Sequence, residues 1–139
     1  MSVIEPPSEV IAGSCLCGAV AFELTGPIKR FHYCHCSRCR KNSGTAHAAN
    51  IFVDVAQLRW TRGENRVSRF ELPEARYFCT AFCQTCGSAM PWLTRNGKLV
   101  IVPAGALDSD PGKRPERSVH WDSRADWYVA VDALPVVES

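Results

Sequence analysis

Three cysteines fall within six residues of this 139-residue chain, in the run Cys34-His35-Cys36-Ser37-Arg38-Cys39. Two further pairs flank them, Cys15-Leu16-Cys17-Gly18 before and Cys83-Gln84-Thr85-Cys86-Gly87 after. Thiolates at such spacing are zinc ligands. Four of them close a tetrahedral site, whereas three leave one position open to a reacting molecule. The chain supplies enough sulfurs for two zinc ions, one site of each kind.

The outer set is Cys15, Cys17, Cys83 and Cys86. A Gly follows each pair and relieves crowding where a tight turn aims two sulfurs at one point. One ion shared between pairs so distant in sequence would pin the start of a sheet to its middle, as in a zinc ribbon. Its binding energy would then be folding energy. Iron is the substitute metal for such a four-thiolate site.

The inner set is Cys34, Cys36 and Cys39. The favoured reading is an open zinc site with one exchangeable position; the alternative is a site closed by His47 or Cys79. His35 lies between two ligands, so its side chain points away from an ion that both neighbours face. Cys79, in the run Tyr77-Phe78-Cys79-Thr80, reads as a small core hydrophobe. Hydrolytic zinc sites mostly use histidine and carboxylate ligands. An ion carrying three thiolates is instead suited to holding a visiting sulfur. The chemistry expected is the making or breaking of a bond to sulfur, with an aldehyde or similar electrophile as partner. Such an addition needs a proton donor, and His35 and His47 are the nearest imidazoles in sequence. Arg38, Arg40 and Lys41 add positive charge beside the triplet. His120 beside Trp121, and Asp108, read as structural, and the four tryptophans as core or its margin.

The elements that must position these groups are short. Val20, Phe22 and Leu24 alternate with Ala19, Ala21 and Glu23, the pattern of a half-buried strand. Further strands are expected at Ile28–Tyr33, Thr45–Val53, Arg66–Leu72, Arg76–Phe82, Ala89–Thr94, Lys98–Pro103 and Val119–Trp121. Ser37 is placed to cap a short helical turn through Asn42, with Gly44 releasing it. Asp54 to Gln57 resembles a single capped turn, Asn96-Gly97 a hairpin turn, Asp108 to Pro115 a loop, and Ser123 to Asp126 a turn under Trp127. Many short strands and no long helix predict an all-β domain of antiparallel sheets around zinc knuckles. The expected organisation is a loose lead-in over 1–12 with Pro6-Pro7, one domain over 13–136, and a tail over 137–139.

Composition narrows the classes. Hydrophobic residues make up 46% and charged residues 22%, an ordinary globular balance. The net charge is only +2 with both signs interleaved, so neither a nucleic acid nor a membrane surface is an expected partner. The start, Met1 to Pro7, has no basic n-region and no apolar core of a secretory signal. The expected compartment is the cytoplasm, where four disulfide bridges among the eight cysteines are disfavoured. The oligomeric state is left open, a homo-oligomer included.

Three stretches carry a family resemblance: Gly13 to Val20, Cys34 to Lys41, and Phe82 to Ser88. With Gly105-Ala106-Leu107-Asp108 and Ser123 to Trp127, they resemble the glutathione-dependent formaldehyde-activating enzyme family, which includes centromere protein V. The likeness runs from about residue 12 to 136. It implies a β-tent of two or three antiparallel sheets held by zinc. It also implies a structural zinc on Cys15, Cys17, Cys83 and Cys86 and a catalytic zinc on Cys34, Cys36 and Cys39. The implied activity is carbon–sulfur lyase, joining formaldehyde reversibly to glutathione as S-hydroxymethylglutathione. The chain is near the minimal domain, shorter than the namesake enzyme, so the resemblance supports the metal sites more firmly than these substrates. The competing expectation is a non-catalytic zinc-binding interaction module, and a third is zinc storage or sensing.

Overall fold

Short alternating runs separated by turn residues give a chain of brief strands. The structure is a computed structural model that describes residues 10–139. Among these residues the elements are β1 (Ile11–Ser14), β2 (Ala21–Leu24), β3 (Arg30–Cys34), α1 (Ser37–Ser43), β4 (Ala48–Asp54), β5 (Leu58–Arg62), β6 (Val67–Glu71), β7 (Cys79–Cys83), β8 (Trp92–Leu93), β9 (Leu99–Pro103) and β10 (Arg117–Val119). They form three sheets, ordered β1-β2-β5, β10-β3-β4-β9-β8 and β6-β7. Every pair is antiparallel except β10 with β3, which run parallel. The all-β expectation holds, with one short helix and a few single helical turns.

Alternation explains the core. On β4, Ile51 and Val53 are fully buried, and on β9 so are Val100 and Val102. These side chains pack with Ile11, Phe22, Leu24 and Met90 in one cluster between the sheets. Each such aliphatic or aromatic side chain stabilises the fold by roughly 1.5–3 kcal/mol on burial. The tip of the Phe22 ring closes on Gly13 of the paired strand and leaves no room for an added Cβ. Glycine is required there for closeness. The opposite face of the large sheet carries the intervening residues of β3, β4 and β9, and that face lines a cavity.

Several boundaries differ from expectation. β1 begins at Ile11, inside the stretch read as lead-in; the Pro6-Pro7 run lies outside the described residues. β5 is a strand that the sequence does not announce, because its exposed Arg59, Thr61 and Arg62 mask the half-buried Leu58 and Trp60. Its pairing with β2 fixes it. β8 shrinks to two residues because Pro91 has no N–H for a ladder. The cap of α1 is Cys36 rather than Ser37: its Sγ accepts the Cys39 N–H at 3.4 Å, and the helix runs to Ser43 before a left-handed Gly44. β10 ends at Val119 because His120 adopts φ 54, and Trp121 opens a helical turn instead. Trp121 and Trp127 are exposed rather than core residues. No helix among the described residues is long and apolar enough to cross a membrane.

Candidate functional site

All eight cysteines are free, and seven converge in two groups. In each group the sulfurs lie within 4.8 Å of one another. The outer group joins Cys15 and Cys17, between β1 and β2, to Cys83 and Cys86 at the end of β7. Its Sγ atoms lie 3.6 Å apart for Cys15 and Cys17, and 3.8 Å apart for Cys17 and Cys83. Tight turns closed by Gly18 N–H to Cys15 O and Gly87 N–H to Cys83 O shape the two knuckles. Both glycines have positive φ, which L side chains adopt at a cost. Backbone donors point at the sulfurs; the Val20 N–H reaches Cys15 Sγ at 3.2 Å. The Ser88 hydroxyl, then the amides of Ser88 and Cys17, hold the Cys86 thiol down to about 5. A four-sulfur cradle ringed by N–H donors fits a thiophilic divalent ion.

The inner group is Cys34 at the end of β3, Cys36 at the cap of α1, and Cys39 in its first turn. Neither His47 nor Cys79, the two candidates for closing it, joins these three sulfurs. Hydrogen bonding from Cys34 and then Cys39, with the Cys39 and Arg38 amides, drives the Cys36 thiol far down. Cys39 is pushed up by its own two sulfur neighbours, Cys34 first and then Cys36. Three sulfurs this close cannot all be thiolates without a cation among them, so this donor set also fits a metal ion. Asn50 of β4 adds a contact, its Nδ2 lying 3.8 Å from Cys39 Sγ.

These three thiols sit in the wall of a cavity of about 710 Å³. Arg30, Arg38 and Arg76 supply positive charge to its lining, and no carboxylate is among the lining residues. Its electrostatics therefore favour an anionic guest. Ser37 and His120 also face it.

The structure places the two nearest imidazoles elsewhere. Neither His35 nor His47 is among the lining residues. Side chains alternate at the end of β3, so Cys34 faces the cavity and His35 faces behind it. His35 is fully buried with both ring nitrogens unpartnered, packed 5.0 Å from Trp121 and 5.3 Å from Tyr128. Burial, then the charges of His47 and Arg124, lowers its pKa. His47 stacks on Tyr33 at 4.1 Å. The imidazole brought to the cavity is that of His120, which the sequence presents only as a residue beside a tryptophan. The parallel register of β10 sets Val119 opposite Cys34, and His120 follows directly. A long-range parallel pairing leaves no local sequence signal. Cys79 is fully buried apart from both groups, where Arg69 Nη2 donates to its Sγ at 2.9 Å.

Comparison with known proteins points to one family. Residues 10–123 match the model of the family described as glutathione-dependent formaldehyde-activating enzyme. A Halomonas elongata protein with the provisional name glutathione-dependent formaldehyde-activating enzyme is 35% identical over 131 residues, covering 85% of this chain and 79% of its own. A crystal structure of a Rhodobacter sphaeroides protein is 28% identical with a TM-score of 0.56, covering 75% of this chain and 97% of that one.

Proposed function

The chain belongs to the glutathione-dependent formaldehyde-activating enzyme family, and from that premise we propose that it is a zinc-dependent carbon–sulfur lyase. Its substrates are a small carboxylate-bearing thiol such as glutathione and an aldehyde such as formaldehyde, joined or parted reversibly. The observation that carries this reading is the inner group: three thiols, open to a cationic cavity, with neither His47 nor Cys79 as a fourth donor.

Cys15, Cys17, Cys83 and Cys86 would hold a structural zinc, and Cys34, Cys36 and Cys39 a catalytic one. When bound there, zinc supplies a soft acceptor that favours an incoming thiol as thiolate. The remaining work falls to the chain itself. Arg30, Arg38 and Arg76 bind the carboxylates of the thiol, in the geometry guanidinium groups favour. Asn50 fixes the Cys39 sulfur. In the joining direction the thiol S–H gives up its proton, a sulfur–carbon bond forms, the carbonyl π pair moves to oxygen, and that oxygen takes a proton in return, so the sum is neutral. His120, rather than His35 or His47, is the cavity imidazole placed to give that proton at a ring nitrogen and recover it in reverse. His35 and His47 brace the back of β3. A reducing compartment, the cytoplasm, keeps the eight thiols free.

A scaffold or interaction module would need only the outer group, and the inner group opens on a cavity instead. The test is metal content of the purified protein, followed by formation of S-hydroxymethylglutathione from glutathione and formaldehyde. Two zinc ions per chain and a rate above the spontaneous reaction are expected. One zinc per chain with no acceleration for any thiol and aldehyde would leave the module as the better account.

A further inference from the structure

The cavity wall is more apolar than polar, whereas glutathione is a charged peptide and formaldehyde a single polar carbon. Its floor is one face of the five-stranded sheet. Arg30 of β3 lies opposite Phe52 of β4, Phe52 opposite Ile101 of β9, and Ile101 opposite Trp92 of β8. Four side chains thus form one row across four strands, and all four line the cavity. Directly opposed residues share a face with their Cβ atoms about 5 Å apart, so Phe52, Ile101 and Trp92 make a continuous apolar strip. Phe78 extends it, its ring 5.6 Å from that of Trp92.

The strip starts one step from the thiols. Asn50, which touches Cys39, precedes Phe52 by two residues on the same face of β4, about 7 Å along the strand. At the other end of the row, the Arg30 guanidinium lies 4.5 Å over the Phe52 ring and has no carboxylate partner among the described residues. A guest of this cavity therefore meets sulfur, an aromatic floor and an unpaired cation together. Glutathione is a short charged peptide, and formaldehyde contributes a single carbon. Ile101 is already buried between its neighbours, but Phe52 and Trp92 remain half-exposed, and neither compound offers apolar surface to remove them from water, the transfer that would favour binding.

We infer that the electrophile handled by this chain is an aromatic aldehyde, whose ring lies along Phe52, Ile101 and Trp92 while the carboxylates of the thiol meet the arginines. This rests on the thiol–aldehyde reading above and narrows its substrate. The step needs no oxidant or reductant. The S–H adds across the carbonyl, a sulfur–carbon bond forms, the π pair becomes an oxygen lone pair, and the thiol proton ends on that oxygen.

The test compares two stable thioethers, S-methylglutathione and S-benzylglutathione, by calorimetric titration of the purified protein. The benzyl compound should bind at least about tenfold tighter, a gain in line with the apolar area of one added ring. Trp92→Ala should erase that difference while S-methylglutathione binds as before. Phe52→Leu, which keeps the sheet face apolar, should reduce it in a variant that retains side-chain bulk. Equal affinity of the two thioethers, or a difference untouched by both substitutions, would overturn the inference. A turnover arm separates it from its premise. Acceleration of glutathione addition to formaldehyde but not to benzaldehyde would remove the aromatic substrate alone. Acceleration of neither would remove the thiol–aldehyde reading and the inference with it.

Discussion

The sulfurs of Cys17 and Cys83 lie 3.8 Å apart although 66 positions separate them in the chain. One belongs to the turn between β1 and β2, the other to the end of β7, so their meeting joins the three-stranded sheet to the two-stranded one. A metal held there is a fold-closing link. Structural zinc sites of this kind contribute about 10–16 kcal/mol of apparent binding energy, comparable with the whole stability of a domain. Cys83→Ser is therefore expected to unfold or aggregate, read as loss of a cooperative thermal transition. A Cys83→Ser protein that lacks the outer metal yet melts cooperatively near the parent temperature would show that the link is dispensable.

Cys36→Ser should behave oppositely. Cys36 caps α1, its sulfur accepting the Cys39 N–H, and serine is itself a favoured cap. The fold should survive and, on the proposed function, zinc should fall from two ions per chain to one and lyase activity be abolished. Cys36→Ala should lose the cap as well, at a further cost of about 1 kcal/mol. Denaturant titration of the two variants separates cap from ligand. Equal stability of the serine and alanine proteins would mean that a side-chain cap at position 36 contributes nothing to α1.

Both cysteine groups are legible in the sequence alone, because Cys-x-Cys and Cys-x-x-Cys spacing states its chemistry locally. So is the sheet character, through the alternation of Val20, Phe22 and Leu24. The features without a local signal are those set by pairing at long range. Leu58 to Arg62 is too polar to announce a strand, and only β2 makes it one. His120 reaches the cavity because β10 lies parallel to β3, a contact between segments more than eighty positions apart. His35, between Cys34 and Cys36 in sequence, is on the far side of the strand for the same geometric reason that its neighbours face the cavity. Sequence proximity is a poor guide to which imidazole serves a site at a strand end.

His120 therefore merits substitution before His35. It holds φ 54 and ψ 40, a left-handed conformation that asparagine tolerates better than most residues. His120→Asn keeps the backbone while removing the imidazole. If His120 exchanges the proton, kcat should fall by about 10²–10⁴ with folding intact, and the pH–rate profile should lose one limb. An unchanged pH profile, with kcat within a few-fold of the parent, would leave His120 as a wall of the cavity only.

Glu116 ties the start of β10 to β3. Its carboxylate accepts the Phe31 N–H at 3.1 Å, and its own N–H donates to the Phe31 carbonyl at 2.8 Å. This double clasp sits at the start of the only parallel pair among the described strands, three residues before Val119 meets Cys34. The Phe31 amide first, and the Lys113 charge after it, hold the Glu116 carboxyl below its usual 4.5. A carboxyl with a lower pKa folded than unfolded stabilises the fold fully above the unfolded value, and that contribution fades as pH falls through the folded one. Glu116→Gln keeps an acceptor oxygen but cannot titrate. The stability gap between parent and variant should thus be constant above about pH 5.5 and shrink below about 4.5. Taking the difference between the two proteins cancels acid loss of thiolate-bound metal, which both share. A gap that does not vary with pH would mean that the charge of Glu116 contributes nothing to holding β10 against β3.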